Sequence, residues 1–367
     1  MTWDTWSREI LKRFSGRLLS PVRGVPVAAQ HPHPATSLRD VAARAGVSVG
    51  TVSNVLNHPT KVSAQTAERV FAAIEELGFV RNEAARQLRQ GRSRSVGLIV
   101  LDIRNPFFTD VAQGVEDEVT ARLRSVLLAN CAEDAARESA YLDLFEEQRV
   151  DGVLISPVGD VLDRLDRLRS RGMAVVLVDR LASTESYSSV SVDDVLGGRL
   201  AVAHLLETGR RRILFVGAST EIEQVRDRLE GARQAVAECA GATLEYREIA
   251  GMHLEPALAE GQRIVALPPD ERPDAVFAAN DLIAIGMLQA FTLGGVSTPQ
   301  DVALIGYDDI EYAAAAAIPL SSIRQPSREM GRRAAEMLLA EIESGSDGER
   351  QHIVFEPELV ARASTLG

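Results

Sequence analysis

Residues 36–57 read TSLRDVAARAGVSVGTVSNVLN, the pattern of two short capped helices joined by a glycine turn. Ser37 is the expected N-cap of the first helix, and Gly46 supplies the left-handed conformation that ends it. Ser48 is the expected N-cap of the second helix. The apolar residues recur at helical spacing on one face of each helix: Leu38, Val41, Ala42 and Ala45, then Val52, Val55 and Leu56. The sequence therefore predicts a helix-turn-helix.

A third helix is predicted in VSAQTAERVFAAIEELGF, after the polar loop NHPTK. Ser63 is its expected N-cap, and Gly78 ends it. Its apolar stripe is predicted to comprise Val70, Phe71, Ile74 and Leu77. Three helices make a small headpiece over 36–81. Residues 1–35 are rich in proline, and we expect them to be a disordered extension.

The charges divide unevenly along the chain. Residues 1–95 hold 14 Lys and Arg against 7 Asp and Glu, whereas the rest of the chain holds 26 against 45. A basic N-terminal part can neutralise phosphates and release their counterions, although the whole chain has a net charge of −12. The alternative interpretation is chance composition with a basic tail.

From residue 95 onward, apolar strands alternate with amphipathic helices. The predicted strands include SVGLIVLD (95–102), VDGVLISP (150–157), AVVLVD (174–179), RILFVG (212–217) and VALIGYDD (302–309). This alternation is typical of a doubly wound α/β fold with parallel sheets. The segment is long enough for two such lobes.

The composition argues against several classes of protein. No apolar run reaches the roughly 18 residues that span a membrane, and the first thirty residues lack a secretory signal, so we expect a cytoplasmic protein with no membrane partner. Cys131 and Cys239 are far apart and form no disulfide framework or metal motif. No phosphate-binding glycine loop, hydrolase motif or metalloprotease motif occurs in the sequence. We therefore expect no enzymatic activity, no cofactor and no metal site.

Polar residues follow four of the predicted strands: Asn105, Asp179, Asn280 and Asp308. Ligands of open α/β sheets bind at the carboxyl ends of the strands. The carboxylates can act as a general acid–base pair, or they can hydrogen-bond a polar ligand. Because no catalytic motif accompanies them, we favour the ligand.

A family resemblance is carried by the headpiece and by motifs of the body: RNEAARQLRQGRSRSVGLIV, DIRNPFF, VDGVLISP, VVLVDR, ANDLIAIG, LIGYDD and RQPSREMG. Over residues 36 to about 362 the chain resembles the lactose/galactose repressor family of bacterial transcription regulators. The resemblance implies a homodimer, or a dimer of dimers, that binds palindromic double-stranded operator DNA. It also implies a body like the periplasmic sugar-binding proteins, with two lobes that close on a small ligand.

This resemblance divides the chain into an extension, a headpiece, a hinge and a body. The extension is 1–35, the DNA-binding headpiece is 36–81, the hinge helix and linker are 82–94, and the effector-binding and dimerisation body is 95–367. Within the body we expect the following lobes: an N-lobe of about 95–193 and 327–349, and a C-lobe of about 194–323 and 350–362.

In the headpiece, the family's motif implies that Val49, Gly50 and Asn54 face the bases. Valine can contact a thymine methyl, and asparagine can bond bidentately to adenine. Glycine costs helix propensity but allows the backbone to come close to DNA. Hydroxyl and amide side chains are expected to contact phosphates, with helix capping and solvation as the alternative: Thr36, Ser48, Thr51, Ser53 and Asn57.

In the hinge, the family places a leucine that wedges between base pairs in the minor groove, and Leu88 occupies that position. Apolar wedges of this kind kink the duplex. Asn82 and Ala85 are expected to lie beside it, against phosphates or the groove floor. A helix this short is marginal alone, so we expect it to form when two copies pack together on DNA. A plain flexible tether is the alternative.

In the body, ten positions resemble the pocket of periplasmic ribose-binding proteins: Asn105, Phe107, Phe108, Asp179, Arg180, Arg228, Asn280, Tyr307, Asp308 and Gln325. Tyr307 stands where phenylalanine is usual, and its hydroxyl is expected to narrow the pocket or change its preference. These residues predict ribose or a similar small sugar as the effector. The alternatives are another mono- or disaccharide, and a purine or another non-sugar ligand.

The predicted function is a repressor of sugar uptake or catabolism genes, controlled allosterically by a sugar. A sugar-binding module without a DNA role and a sugar enzyme are the competing hypotheses. The sequence does not indicate whether the effector releases or promotes DNA binding.

Overall fold

The computed structural model describes residues 36–79, 93–159, 161–182, 186–345 and 350–366. The chain forms two compact units that divide between Asn82 and Glu83. The predicted extension lies outside the described residues, and so do the hinge positions Asn82, Ala85 and Leu88. In the described part of the chain, no helix is both long and apolar enough to cross a membrane.

The headpiece has three α-helices and one 3-10 turn: α1 (Leu38–Ala45), α2 (Val49–Asn57), the turn at Pro59–Lys61, and α3 (Ala64–Glu76). Ser37 and Asp40 form a capping box at the start of α1, in which the side chain of each accepts from the backbone amide of the other, and Gly46 ends α1 at φ 65°. The core of the unit consists of small and β-branched side chains: Val41, Ala42, Ala45, Val52, Val55, Val70 and Ala73.

The predicted stripe of α3 is wrong at Phe71, which is 50% exposed. The buried side chains of α3 are Val70 and Ala73, three residues apart. Phe71 is about 100° around the helix from Val70, on a side of α3 that the other described helices of the headpiece leave exposed.

The N-lobe of the body is built on a six-stranded sheet in the order β11-β5-β4-β3-β1-β2, with every pair parallel. Its strands are β1 (Ser95–Val100), β2 (Ser125–Asn130), β3 (Gly152–Ile155), β4 (Ala174–Val178), β5 (Ser188–Val192) and β11 (His352–Phe355). Its helices are α4 (Pro106–Ala121), α5 (Ala135–Glu147), α6 (Leu162–Ser170) and α12 (Ser327–Ser344).

The C-lobe is built on a four-stranded parallel sheet in the order β7-β6-β8-β9, beside a two-stranded antiparallel sheet. Its strands are β6 (Arg212–Gly217), β7 (Thr243–Glu248), β8 (Ala275–Ala278), β9 (Ala303–Ile305), β10 (Ser322–Arg324) and β12 (Glu358–Val360). Its helices are α7 (Asp194–Glu207), α8 (Glu223–Ala237), α9 (Leu254–Val265), α10 (Asp281–Gly294), α11 (Glu311–Ala315) and α13 (Ala363–Leu366). The α/β class with parallel sheets and an N-terminal helix-turn-helix is confirmed.

One sequence prediction about the body needs correction. Residues 350–362 were assigned to the C-lobe, but β11 pairs with β5 in the N-lobe sheet, with His352 opposite Ser189. Only the part from β12 onward joins the C-lobe, because β12 pairs with β10. The segment between 241 and 274 contains two further elements, β7 and α9, that the sequence pattern does not predict. Strand β7 is an edge strand with a half-exposed alternating pattern, which gives a weak signal beside the buried strands.

Candidate functional site

Helix α2 presents one face to the core and the other to solvent. Val52 and Val55 are buried, whereas Val49 is 41% exposed and Gly50 and Asn54 are exposed. In a helix-turn-helix the second helix enters the major groove with its N-terminal residues toward the bases. The exposed side of α2 therefore carries the three positions that the sequence assigned to base contact.

Hydroxyl side chains of the headpiece also have structural roles. Ser48 Oγ accepts a hydrogen bond from the Thr51 amide at 3.0 Å and lies 2.9 Å from Thr51 Oγ1. Thr36 Oγ1 donates to the Leu77 carbonyl at 3.2 Å. Ser53 is half-buried, and Asn57 is the last residue of the helix. The contact of Ser48 with the Thr51 amide agrees with the alternative that Ser48 caps the helix. Phosphate contact by these side chains stays a prediction.

Sequence reasoning missed Arg69, which ties α3 to the helix-turn-helix turn. Its Nη2 atom donates to the carbonyls of Ala45 at 2.6 Å and of Gly46 at 3.2 Å. These are carbonyls at the end of α1 that lack helical partners. Arg69 therefore fixes the angle between the two helices from the third helix.

The second candidate site is a cleft between the lobes. It is lined by seven of the ten predicted residues and by three others: Asn105, Phe107, Phe108, Asp179, Arg228, Asn280 and Asp308, with Leu101, Gln224 and Met252. The volume enclosed is about 20 Å³, close to the space that one water occupies. The lobes are therefore closed on one another around these side chains.

Arg228 is the buried cation of the cleft. Its Nε donates to Asp194 Oδ1 at 2.7 Å, and its Nη1 donates to the Ala279 carbonyl at 2.7 Å. Helices α7 and α8 cross closely enough for this, because a Cβ on Gly198 would meet the Arg228 carbonyl oxygen at 2.0 Å. Burial opposes the charge, but the surrounding acids, Asp194 foremost, hold the pKa of Arg228 above its ordinary value.

Asp308 joins the two lobes. It accepts from Asn105 Nδ2 of the N-lobe at 2.7 Å and from Gln325 Nε2 at 2.8 Å, and it lies 3.9 Å from Arg228 Nη1. Its φ is 102°, in a region that costs free energy for any residue other than glycine. Burial raises the pKa of Asp308 to about 6, although Arg228 and the two amide donors act to lower it.

Asp179 lies at the end of β4 with φ 58°. Gln224 of the C-lobe donates from Nε2 to its carboxylate at 2.7 Å and to its carbonyl at 2.6 Å. Burial, and then the nearby Asp194, raise the pKa of Asp179 well above its usual range. Gln224 was missed by sequence reasoning, although it precedes Arg228 by four residues and so shares its helix face.

The two cleft asparagines are also helix caps. Asn105 Oδ1 accepts from the Phe107 amide at 3.1 Å, and Asn280 Oδ1 accepts from the Ile283 amide at 2.9 Å. The side-chain NH₂ group of Asn105 donates to the carboxylate of Asp308, and that of Asn280 donates to the carbonyl of Met252. The rings of Phe107 and Phe108 meet edge to face, with centroids 5.0 Å apart.

Three predicted effector residues do not line the cleft. Arg180 bonds to the Gly159 carbonyl at 2.6 Å and pairs with Glu223 of the C-lobe at 2.9 Å. Gln325 lies behind Asp308 as its hydrogen-bond donor. Tyr307 is fully buried beneath Arg228, whose guanidinium lies 3.6 Å from the ring centroid. The Tyr307 hydroxyl lies against Gly197 rather than in the cleft lining, and its expected effect on ligand preference stays a prediction.

Comparisons with known proteins match both units. Residues 37–82 match the model of bacterial regulatory proteins of the lacI family, and residues 202–365 match a periplasmic binding protein-like domain. The chain is 32% identical over 331 residues to the HTH-type transcriptional repressor PurR of Photobacterium profundum. That alignment covers 89% of this chain and 98% of the relative.

Two solved structures extend the comparison. The Lac repressor dimer bound to operator and the anti-inducer ONPF has a TM-score of 0.78 at 25% identity, over 91% of this chain and 100% of that one. A LacI family transcriptional regulator from Enterococcus faecium with bound ribose has a TM-score of 0.67 at 27% identity. That match covers 74% of this chain and 98% of that one. The chain therefore belongs to the lacI family of bacterial regulatory proteins, as a DNA-binding transcriptional repressor and not an enzyme.

Proposed function

We propose that this repressor is controlled by a small sugar of about pentose size, ribose or a close analogue, bound between the two lobes. The observation that carries the proposal is the convergence of Asn105, Asp179, Arg228, Asn280 and Asp308 on one cleft. The two phenylalanines beside them offer apolar surface to the C–H faces of a sugar ring. A regulator of sugar uptake or catabolism is the function this chemistry favours.

Sugar hydroxyls both donate and accept hydrogen bonds, and the cleft offers both kinds of partner. The carboxylates of Asp179 and Asp308 accept, whereas the guanidinium of Arg228 and the amides donate. In this structure Asp308 is bonded to Asn105, and Asp179 to Gln224, across the lobes. A bound hydroxyl would take the place of such an amide partner, so the site is already matched to groups of this polarity.

Ligand entry requires the lobes to separate, because the closed cleft holds about 20 Å³. Separation breaks the Asn105–Asp308 and Gln224–Asp179 contacts, and closure around a ligand replaces them. A ligand that prefers one lobe arrangement shifts the population toward it. We infer that this shift is the allosteric signal to the DNA-binding unit.

A purine effector is the alternative, favoured by the PurR relatives. A flat base binds best when stacked against a parallel ring, whereas Phe107 and Phe108 stand at 79° to one another. The closed cleft offers no such pair of parallel faces among its lining residues, which is why we favour the sugar.

The DNA side of the proposal is a cytoplasmic homodimer, or a dimer of dimers, on a palindromic operator. Val49, Gly50 and Asn54 would face bases, and Ser48, Thr51, Ser53 and Asn57 would lie at the phosphates. Asn82, Ala85 and Leu88 would form the hinge contacts in the minor groove. Replacing Leu88 with alanine should weaken operator binding and leave effector binding unchanged.

The test is calorimetric titration of the full chain with D-ribose, other pentoses and hexoses, and with hypoxanthine and guanine. We expect saturable binding of one sugar, lost in Asn105→Ala and kept in the exposed variant Asp117→Asn. The same sugar should change binding to an operator selected from random duplexes. Binding of a purine alone would overturn the sugar assignment and leave the repressor intact.

A further inference from the structure

A contact at the edge of the effector cleft also joins the two lobes. Glu133, in the loop after β2 of the N-lobe, accepts a hydrogen bond at Oε1 from the backbone amide of Met252 at 3.1 Å. Met252 belongs to the loop between β7 and α9 of the C-lobe. We propose that Glu133 is a latch residue that holds the lobes closed and so sets the balance between open and closed forms.

On both sides of this contact, the residues line the cleft or bond to a residue that lines it. The amide of Glu133 donates to the carbonyl of Leu101 at 3.0 Å, and Leu101 lines the cleft from the N-lobe. On the other side Met252 itself lines the cleft, and its carbonyl accepts from Asn280 Nδ2 at 3.0 Å. Breaking the Glu133–Met252 hydrogen bond therefore moves residues on both walls of the cleft. It does so without removing a side chain that would contact a ligand.

Of the two loops that meet at the latch, the N-lobe loop is held in a costly conformation, whereas glycine gives the C-lobe loop a positive φ without that cost. Ala132 and Glu133 have φ values of 52° and 62°, and Gly251 has φ 139°. A Cβ on Gly251 would meet the His253 ring at 3.1 Å and Glu133 Oε2 at 3.5 Å. Strained backbone persists where the surroundings determine it and clusters at ligand clamps and switches. Burial raises the pKa of the Glu133 carboxyl.

The latch acts whichever small molecule binds in the cleft, so the lobe distance can be measured without a ligand. One spin label on α6 at Arg167→Cys and one on α8 at Arg233→Cys, in a Cys239→Ser background of the full chain, report the distance between the lobes. Hydrogen exchange of the peptide containing Met252 reports the latch itself. The variants compared are Glu133→Ala, Glu133→Gln and the exposed N-lobe control Asp143→Asn.

We expect Glu133→Ala to increase the open population, and the exchange of the Met252 peptide, by about fivefold to tenfold, the factor that one lost hydrogen bond gives. Glu133→Gln keeps an acceptor oxygen and should restore most of the closed population, and Asp143→Asn should match the parent. Should Glu133→Ala fail to fold, Glu133→Asp repeats the test, because it keeps the charge and shortens the reach. An unchanged distance and exchange rate in the folded variant overturns the latch.

Discussion

Helix α2 and the interlobe cleft hold their functional side chains in opposite ways. On α2 the positions Val49, Gly50 and Asn54 are exposed, and other residues form the headpiece core. In the cleft Arg228 and Asp308 are buried and bonded to other cleft residues. A substitution on α2 should therefore change DNA binding with little effect on folding, whereas a substitution in the cleft should change ligand binding and stability together.

The largest expected effect is that of Arg228→Ala. It leaves Asp194 buried without its cation, so we expect the body to lose about 3–5 kcal/mol of its free energy of unfolding. Denaturant unfolding followed by far-ultraviolet circular dichroism measures the loss, because both tryptophans, Trp3 and Trp6, lie in the N-terminal extension. Arg233→Ala on the same helix is the control, since Arg233 is 60% exposed and should cost less than about 0.5 kcal/mol. Equal losses in the two variants would contradict a buried charge network.

Asp308 gives the next largest effect, in the dependence of body stability on pH. Its pKa is raised to about 6 in the folded chain, above the roughly 3.9 of an unfolded aspartate. Because its pKa is raised, Asp308 contributes to the free energy of unfolding of the body fully below about pH 4. This contribution, on the order of 2–3 kcal/mol, is lost as the pH rises through about 6. Unfolding across pH 4–7 should show this loss in the parent chain.

Replacing Asp308 with asparagine removes that titration, so the stability of the variant should fall less between pH 4 and 7. Asp117→Asn removes an exposed carboxyl and should leave the parent profile unchanged. The assignment fails if both variants retain the full slope.

The headpiece could be predicted almost completely because its signals are local. Ser37, Gly46 and Ser48 act within four residues of their own positions, as the caps of α1 and α2. The exception is Phe71, whose exposure depends on what the third helix packs against. Arg69 was missed for the same reason, since its partners at Ala45 and Gly46 lie 24 and 23 residues away.

The cleft could be predicted only in part, because it is assembled from distant segments. The strand-end positions Asn105, Asp179 and Asp308 follow from fold geometry and do line it. Arg180 and Tyr307 both carry polar groups that could bind a ligand. In the structure, however, Arg180 pairs with Glu223, and the ring of Tyr307 is covered by Arg228. Side-chain direction depends on neighbours across the lobes, and the latch at Glu133 involves a contact 119 residues apart.

Asn54→Ala should give a smaller effect of a different kind. A bidentate contact to adenine contributes about 1–3 kcal/mol of discrimination, so the variant should tolerate substitution at one operator base pair. The salt dependence and the unfolding of the headpiece should stay as in the parent, because the exposed side chain is outside its core. Competition binding against single-base operator variants measures this. Gln65→Ala, another exposed amide of the headpiece, should retain the parent preference.

Gly50→Ala should give the smallest effect, and it separates stability from binding on α2. An added Cβ would meet only Ser48 Oγ at 3.6 Å, an ordinary contact, so the fold does not require glycine there. Since glycine weakens a helix by about 0.5–1 kcal/mol relative to alanine, the headpiece should become more stable by roughly that amount. Operator affinity should fall, because the methyl group occupies space that the backbone leaves for DNA.

The matched control for this variant is Gly78→Ala, which also adds a methyl group into open space. Gly78 has φ 55°, so alanine there should destabilise the headpiece. Thermal unfolding and operator titration of both variants give the comparison. A packing role for Gly50 would lower stability and affinity together, whereas a DNA-facing role moves them in opposite directions. A gain in stability with unchanged operator affinity would remove Gly50 from the DNA interface.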